Sequence, residues 1–128
     1  MRALLDTHVL LWAITDDQKL SEKARAIFSD GDNHLFFSAA GLWEILIKVQ
    51  IGRLLIPKPA GKFIEKQLVQ NNIEVLPIQM HHVWGLESLP MHHRDPFDRI
   101  LLAQSLQEGL PIVSADKKLR TYAAEILW

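Results

Sequence analysis

Asp6, Glu44, Asp98 and Asp116 stand far apart in the sequence, yet each lies beside a short apolar run or the helix such a run feeds. Ala3-Leu4-Leu5 leads into Asp6, and Leu35-Phe36-Phe37 precedes the helical stretch that carries Glu44. Ile112-Val113 precedes Asp116, and Asp98 opens the helix that returns to that run. In a parallel α/β sheet the carboxyl ends of the strands share one edge, where ligand sites form. Four acids delivered to that edge would crowd one another. A pair of like charges about 4 Å apart costs roughly 4 kcal/mol at an effective dielectric of about 20. Such a cluster calls for a cation, or for carboxyl groups that hold their protons. A divalent metal is the simpler answer. Hard carboxylate oxygens suit Mg²⁺ or Mn²⁺, and a cation so held can acidify a water, orient it toward phosphorus and screen a phosphodiester. With no cysteine, and no histidine pair at helical ligand spacing, a zinc site is not expected.

The elements that must position these acids follow from the pattern of apolar residues. Strands are expected at Ala3 to Leu5, Leu35 to Phe37, Ile73 to Pro77 and Pro111 to Ser114, with a fifth candidate at Glu125 to Trp128. Helices are expected at His8 to Ile14, Ser21 to Ser29, Ala39 to about Gln50, and about Gly61 to Asn71. A short helix at Met80 to Leu89 has Trp84 and Leu86 as its expected anchors. Asp95-Pro96 starts a helix running to Glu108, ended by Gly109, and Lys117 to Ala123 forms a last short helix. Strands alternating with helices imply an α/β fold: a central, mostly parallel sheet of four to five strands flanked by helices in three layers. The 128 residues are read as a single domain, 1–128, large enough to bury a core without disulfides.

Each acid also has an ordinary structural explanation. Asp6 could cap the following helix. Asp95 fits a cap with Pro96 at the first helical position, leaving Asp98 third, where an acid meets the helix dipole favourably. Glu44 and Lys48 are spaced for a surface ion pair. Glu44, however, is embedded in Leu42-Trp43-Glu44-Ile45-Leu46-Ile47, and an acid among such neighbours needs a partner. Caps explain the residues singly but not their common edge.

Four ordered segments resemble the PIN domain family. They are Leu4-Leu5-Asp6-Thr7-His8 and its apolar continuation to Trp12, Ser38-Ala39-Ala40-Gly41-Leu42-Trp43-Glu44-Ile45, the run from His92 to Gln104 containing Asp95-Pro96-Phe97-Asp98-Arg99, and Ile112-Val113-Ser114-Ala115-Asp116. Together they span essentially the whole chain. The branch most similar is that of the VapC-type toxins of bacterial toxin–antitoxin pairs. The resemblance implies a Mg²⁺- or Mn²⁺-dependent endoribonuclease whose metal-site acids are Asp6, Glu44, Asp98 and Asp116. It also implies an RNA substrate, a homodimer, and an antitoxin partner whose tail covers the acidic cleft. His8 departs from the Ser or Asn often found at that place.

Around the acids, Thr7 and Ser114 are candidate hydrogen-bond donors to the site, and Asp95 is a supporting acid or only the cap. Arg94, Arg99 and His93 are candidate RNA contacts. Trp43, Trp84 and Phe97 are read as core or dimer contacts, and Trp128 as the end of a packed edge strand. The formal net charge of −1 shows no basic footprint and argues against tight non-specific duplex binding. A single bound divalent cation reverses its sign. The start of the chain is too polar and short for a signal peptide or membrane span, so a cytoplasmic location without membrane contact is the expectation.

Alternatives remain. A catalytically silent interaction module would keep the fold without the chemistry. A metal-dependent phosphatase of the haloacid dehalogenase kind would want a second acid where His8 stands. A receiver-type phosphoacceptor would want an acidic pair where Leu4 and Leu5 stand.

Overall fold

Leu4, Leu5, Phe36, Phe37, Ile112 and Val113 are all buried, as strands covered on both faces must be. In the computed structural model, which covers residues 1–128, they form the middle of a five-stranded parallel sheet. The strands are β1 (Arg2–Leu5), β2 (His34–Ser38), β3 (Glu74–Leu76), β4 (Ile112–Val113) and β5 (Ile126–Leu127), in the order β3-β2-β1-β4-β5. The helices are α1 (Thr7–Ile14), α2 (Glu22–Ser29), α3 (Ala39–Gln50), α4 (Ala60–Gln70), α5 (Met80–Trp84) and α6 (Pro96–Glu108).

Because side chains alternate along a strand, the central strands β1, β2 and β4 each feed two cores. Ala3, Leu5, Phe37 and Val113 face one layer, where they meet Val9 and Leu10 of α1, Ile27 of α2, Ile45 of α3 and Ile64 and Leu68 of α4. Leu4, Phe36, Leu76 and Ile112 face the other, against Leu101 and Leu102 of α6 together with Leu119 and Tyr122. The three layers and the parallel sheet agree with the expectation from sequence, and the fifth strand is present. Its neighbour Trp128 packs at 5.8 Å from Trp12 of α1.

Register sets the level at which the site forms. Leu5 is opposite Phe37 on one side and Val113 on the other. The next residues, Asp6, Ser38 and Ser114, therefore leave the sheet at one height. β1 is also where successive crossovers part, β2 to one side and β4 to the other, which opens a crevice at its carboxyl end. Ser38 begins α3 by accepting the Ala40 N–H at 3.1 Å, and Gly109, at φ +65°, ends α6 in the left-handed conformation that glycine adopts without strain. Gly41 in α3 lies flat on the Phe37 ring, where a Cβ would collide with it.

One anchor differs from expectation. Trp84 is 65% exposed, whereas Leu86 packs on the second core and His82 is fully buried. His82 accepts the Gln79 N–H on Nδ1 at 2.9 Å, so its remaining ring hydrogen lies on Nε2, 3.8 Å from Glu108. Closing the start of α5 satisfies a backbone donor, and a tryptophan one turn on could not do that. No helix is long and apolar enough to cross a membrane.

Candidate metal and active site

The crevice beside β1 opens into a cavity of about 440 Å³ lined by Asp6, His8, Trp12, Glu44, Lys48, Asp95, Asp98, Ala115 and Asp116. All four acids singled out from the sequence thus reach one pocket, from four different elements. Asp6 comes from the end of β1, Glu44 from the second turn of α3, Asp98 from the first turn of α6 and Asp116 from the turn after β4. Local order makes each delivery short: one strand ends, its backbone bonds to its neighbour, and the acid follows. The Asp6 N–H, for example, donates to the Val113 carbonyl at 3.0 Å.

Asp6 occupies the cap position of α1, but its side chain makes no cap bond. It accepts a 2.6 Å hydrogen bond from Ser114 Oγ, which in turn accepts the Asp116 N–H at 3.0 Å. Ser114 therefore links two of the acids, as expected of a supporting donor. Thr7 is buried beside Asp6 and lines a separate small hollow that shares Asp6, Glu44 and Asp98 with the cavity. Burial pushes the Asp6 carboxyl up, against the pull of Ser114, His8 and the Thr7 backbone.

Asp98 is pushed up to about 7, first by burial and then by repulsion from Asp6, Asp95, Asp116 and Glu44. The same crowding that sequence reasoning inferred is thus present in the fold. Glu44 is drawn toward Lys48 Nζ at 3.4 Å, the i, i+4 pair expected from spacing. Asp95 caps α6, accepting from the Phe97 N–H at 2.8 Å and more weakly from Asp98 at 3.4 Å. It also lines the cavity, so cap and site coincide in one residue.

Of the three candidate RNA contacts, only Arg94 is exposed, on the loop before α6, with no side-chain hydrogen bond or ion pair inside the chain. Arg99 was expected to reach substrate phosphate; instead its guanidinium donates to the carbonyls of Pro90, His93, Leu86 and Leu89 at 2.9–3.4 Å. Those four acceptors engage both terminal nitrogens of the guanidinium. His93 is folded into the acids, with Nε2 2.9 Å from Asp98 Oδ2 and 3.7 Å from Asp116 Oδ2. Its place in the cluster was missed because it depends on a loop conformation that no periodicity encodes. Tyr122 was missed for the same reason: its hydroxyl accepts the His93 N–H at 2.7 Å and donates to Pro90 at 2.9 Å.

A parallel five-stranded sheet with this acid arrangement defines an α/β protein with a carboxylate site at the strand ends. Residues 3–125 match the PIN domain, and the chain belongs to that family. Among its relatives, Ribonuclease VapC22 of Mycobacterium tuberculosis is 24% identical over 120 residues, which are 93% of this chain and 90% of that protein. Two solved structures share the fold. The VapBC2 complex of Rickettsia felis bound to a promoter DNA fragment has a TM-score of 0.69 at 14% identity, covering 99% of this chain and 98% of that one. FitAcB of Neisseria gonorrhoeae gives 0.67 at 18% identity, covering 100% and 97%.

Proposed function

We propose that this chain is a Mg²⁺- or Mn²⁺-dependent endoribonuclease acting as the toxin of a toxin–antitoxin pair. The convergence of Asp6, Glu44, Asp98 and Asp116 on one cavity is the observation that carries the reading. Four carboxylates form a hard, all-oxygen donor set, and such a set fits magnesium or manganese better than softer metals. A cation bound there supplies Lewis-acid chemistry, screening a phosphodiester and acidifying water beside it.

The chain's own residues do the rest. Asp6, fixed by Ser114, and Asp98, fixed on the first turn of α6, form the inner wall of the cavity. Glu44, paired with Lys48, and Asp116 complete its lining. A carboxylate not engaged by the cation is placed to take a proton from the attacking water. Arg94, exposed on the loop before α6, is the proposed contact for an RNA phosphate. The similarity to a named ribonuclease across 93% of the chain supports the same reading.

The test is direct. Purified protein with Mn²⁺ should cleave single-stranded RNA, stop with chelator, and lose cleavage in the Asp6→Ala protein. Cleavage that survives both chelator and Asp6→Ala would leave this chain as an interaction module.

Two surfaces support partners. Trp43 and Trp84 are 60% and 65% exposed, and Ile78, Met80 and Val83 are exposed with them. Trp43 packs edge-on against Phe97 beside an apolar hollow of about 310 Å³. Apolar surface of this extent marks a contact face, and a second copy of the chain is its proposed occupant. Trp43→Glu should convert a dimer to a monomer in light scattering; an unchanged mass would remove this face from the dimer.

The second surface is a groove of about 570 Å³ that includes Leu11, Trp12, Leu54, Leu55, Ile56 and Phe63, and shares His8, Trp12 and Lys48 with the acidic cavity. An antitoxin segment lying in it would reach the carboxylates directly. The VapBC2 complex among the similar solved structures supports an antitoxin partner; its seat in this groove rests on the groove's continuity with the acidic cavity.

A further inference from the structure

We infer that His93 is a positioning residue of the acidic site: its buried Nε2–H stands between the Asp98 and Asp116 carboxylates and orients them, and it is not itself a ligand to the cation. The inference rests on the metal-site reading above and concerns a residue that reading does not use. The Asp95 N–H points at His93 Nδ1 at 3.2 Å, which makes Nδ1 an acceptor and assigns the ring hydrogen to Nε2. A nitrogen that carries hydrogen has no lone pair to give a metal. The three groups His93, Asp98 and Asp116 otherwise have the spacing of a ligand set, so the tautomer decides between the two roles.

Nε2 is buried, and no acceptor lies in line with its N–H. The two carboxylates within ion-pair distance of it are Asp98 at 2.9 Å and Asp116 at 3.7 Å. A buried donor left between two carboxylates steers whichever oxygen turns toward it. The opposite oxygens are thereby left for the cavity. Histidine and carboxylate partners of this indirect kind typically change metal affinity by about 10–100-fold when removed.

The loop is built to hold this ring still. Tyr122 bonds both the His93 N–H and the Pro90 carbonyl, and Arg99 gathers the carbonyls of Leu86, Leu89, Pro90 and His93. A segment without regular structure therefore has a fixed backbone where it passes the acids. That accounts for an arginine beside the site whose charge is engaged by backbone carbonyls.

The experiment combines nitrogen NMR of the full chain with Mn²⁺ titration of His93→Ala, His93→Gln and Tyr122→Phe. In the metal-free protein and with Mg²⁺ alike, His93 should show hydrogen on Nε2. His93→Ala should weaken Mn²⁺ binding roughly 10-fold or more, His93→Gln should restore most of it through its amide N–H, and Tyr122→Phe should fall between. In RNA cleavage the His93→Ala loss should appear in kcat with KM little changed. Loss of the Nε2 hydrogen on adding Mg²⁺ would make His93 a ligand and overturn the inference. So would Mn²⁺ binding by His93→Ala as tight as that of the unaltered protein. If the unaltered protein binds no Mn²⁺, the metal-site reading fails separately. The inference is then decided by whether Asp98→Asn shifts the His93 Nε2 resonance, and an unmoved resonance sinks it.

Discussion

Asp98→Asn should lower RNA cleavage by at least about 10²-fold, the scale on which one preorganised charged or polar group supports a reaction centre, while leaving the metal-free protein more stable above neutral pH. The two effects separate because the carboxyl is placed for function against its own electrostatic interest. In the fold its pKa is pushed up to about 7 from an ordinary 3.8, by burial and then by Asp6, Asp95, Asp116 and Glu44. The folded state therefore binds this proton more tightly than the unfolded chain does. Stability from that preference is complete below about pH 4, declines as pH rises toward 7, and is gone above it. Metal-free protein should accordingly lose on the order of 2 kcal/mol between pH 5 and pH 8 from this group.

Asparagine does not titrate, so Asp98→Asn should flatten that decline. It forfeits the favourable charge at the third position of α6, worth about 0.3–1 kcal/mol, and the contact with His93. The net gain at pH 8 should then be about 1 kcal/mol. Urea midpoints at the two pH values measure it. A protein that is less stable at pH 8 and still cleaves RNA would mean that Asp98 serves the helix end and nothing more.

Adding Mn²⁺ or Mg²⁺ should reverse the same pH dependence. A ligand that binds only the folded state at 100 times its dissociation constant stabilises by about 2.7 kcal/mol. The gain should be larger at pH 8 than at pH 5, because protons and cation compete for the same carboxylates. Thermal melting across that range, with and without Mn²⁺, reads both effects. In the Asp98→Asn protein the Mn²⁺-induced shift should shrink to a small fraction of its size. An equal shift in both proteins would place the cation elsewhere on the surface. A basic side chain from a partner, entering the cavity from the adjoining groove, should likewise suppress the Mn²⁺ shift, since charge-assisted pairs with carboxylates are roughly twice as strong as neutral hydrogen bonds.

The strands and long helices were legible in the residues because burial imposes a period. Leu4-Leu5, Phe36-Phe37 and Ile112-Val113 are buried on both faces, and such runs alternating with helical patterns fit a covered parallel sheet. Register then follows from the strands' ends, which is why Asp6 and Asp116 could be placed at one edge from sequence alone. Glu44 could be placed because a charge among Trp43, Ile45 and Leu46 has no solvent face of its own. Asp98 could be placed because Asp95-Pro96 marks where α6 begins.

The tertiary structure alone decided the residues whose roles depend on loops. Arg99 and His93 are neighbours of the same motif, and both carry groups suited to phosphate. The fold spends one on four backbone carbonyls and turns the other into the acids. Tyr122, 29 residues beyond His93, fixes the loop from the other side. Side-chain periodicity follows local backbone geometry, so it reports elements; a loop's path is set by which distant donors and acceptors find one another. The sequence by itself determined the sheet, its two cores and the four carboxylates at its edge. Which nitrogen of His93 meets those carboxylates, and that Arg99 binds four backbone carbonyls, only the packed chain could decide.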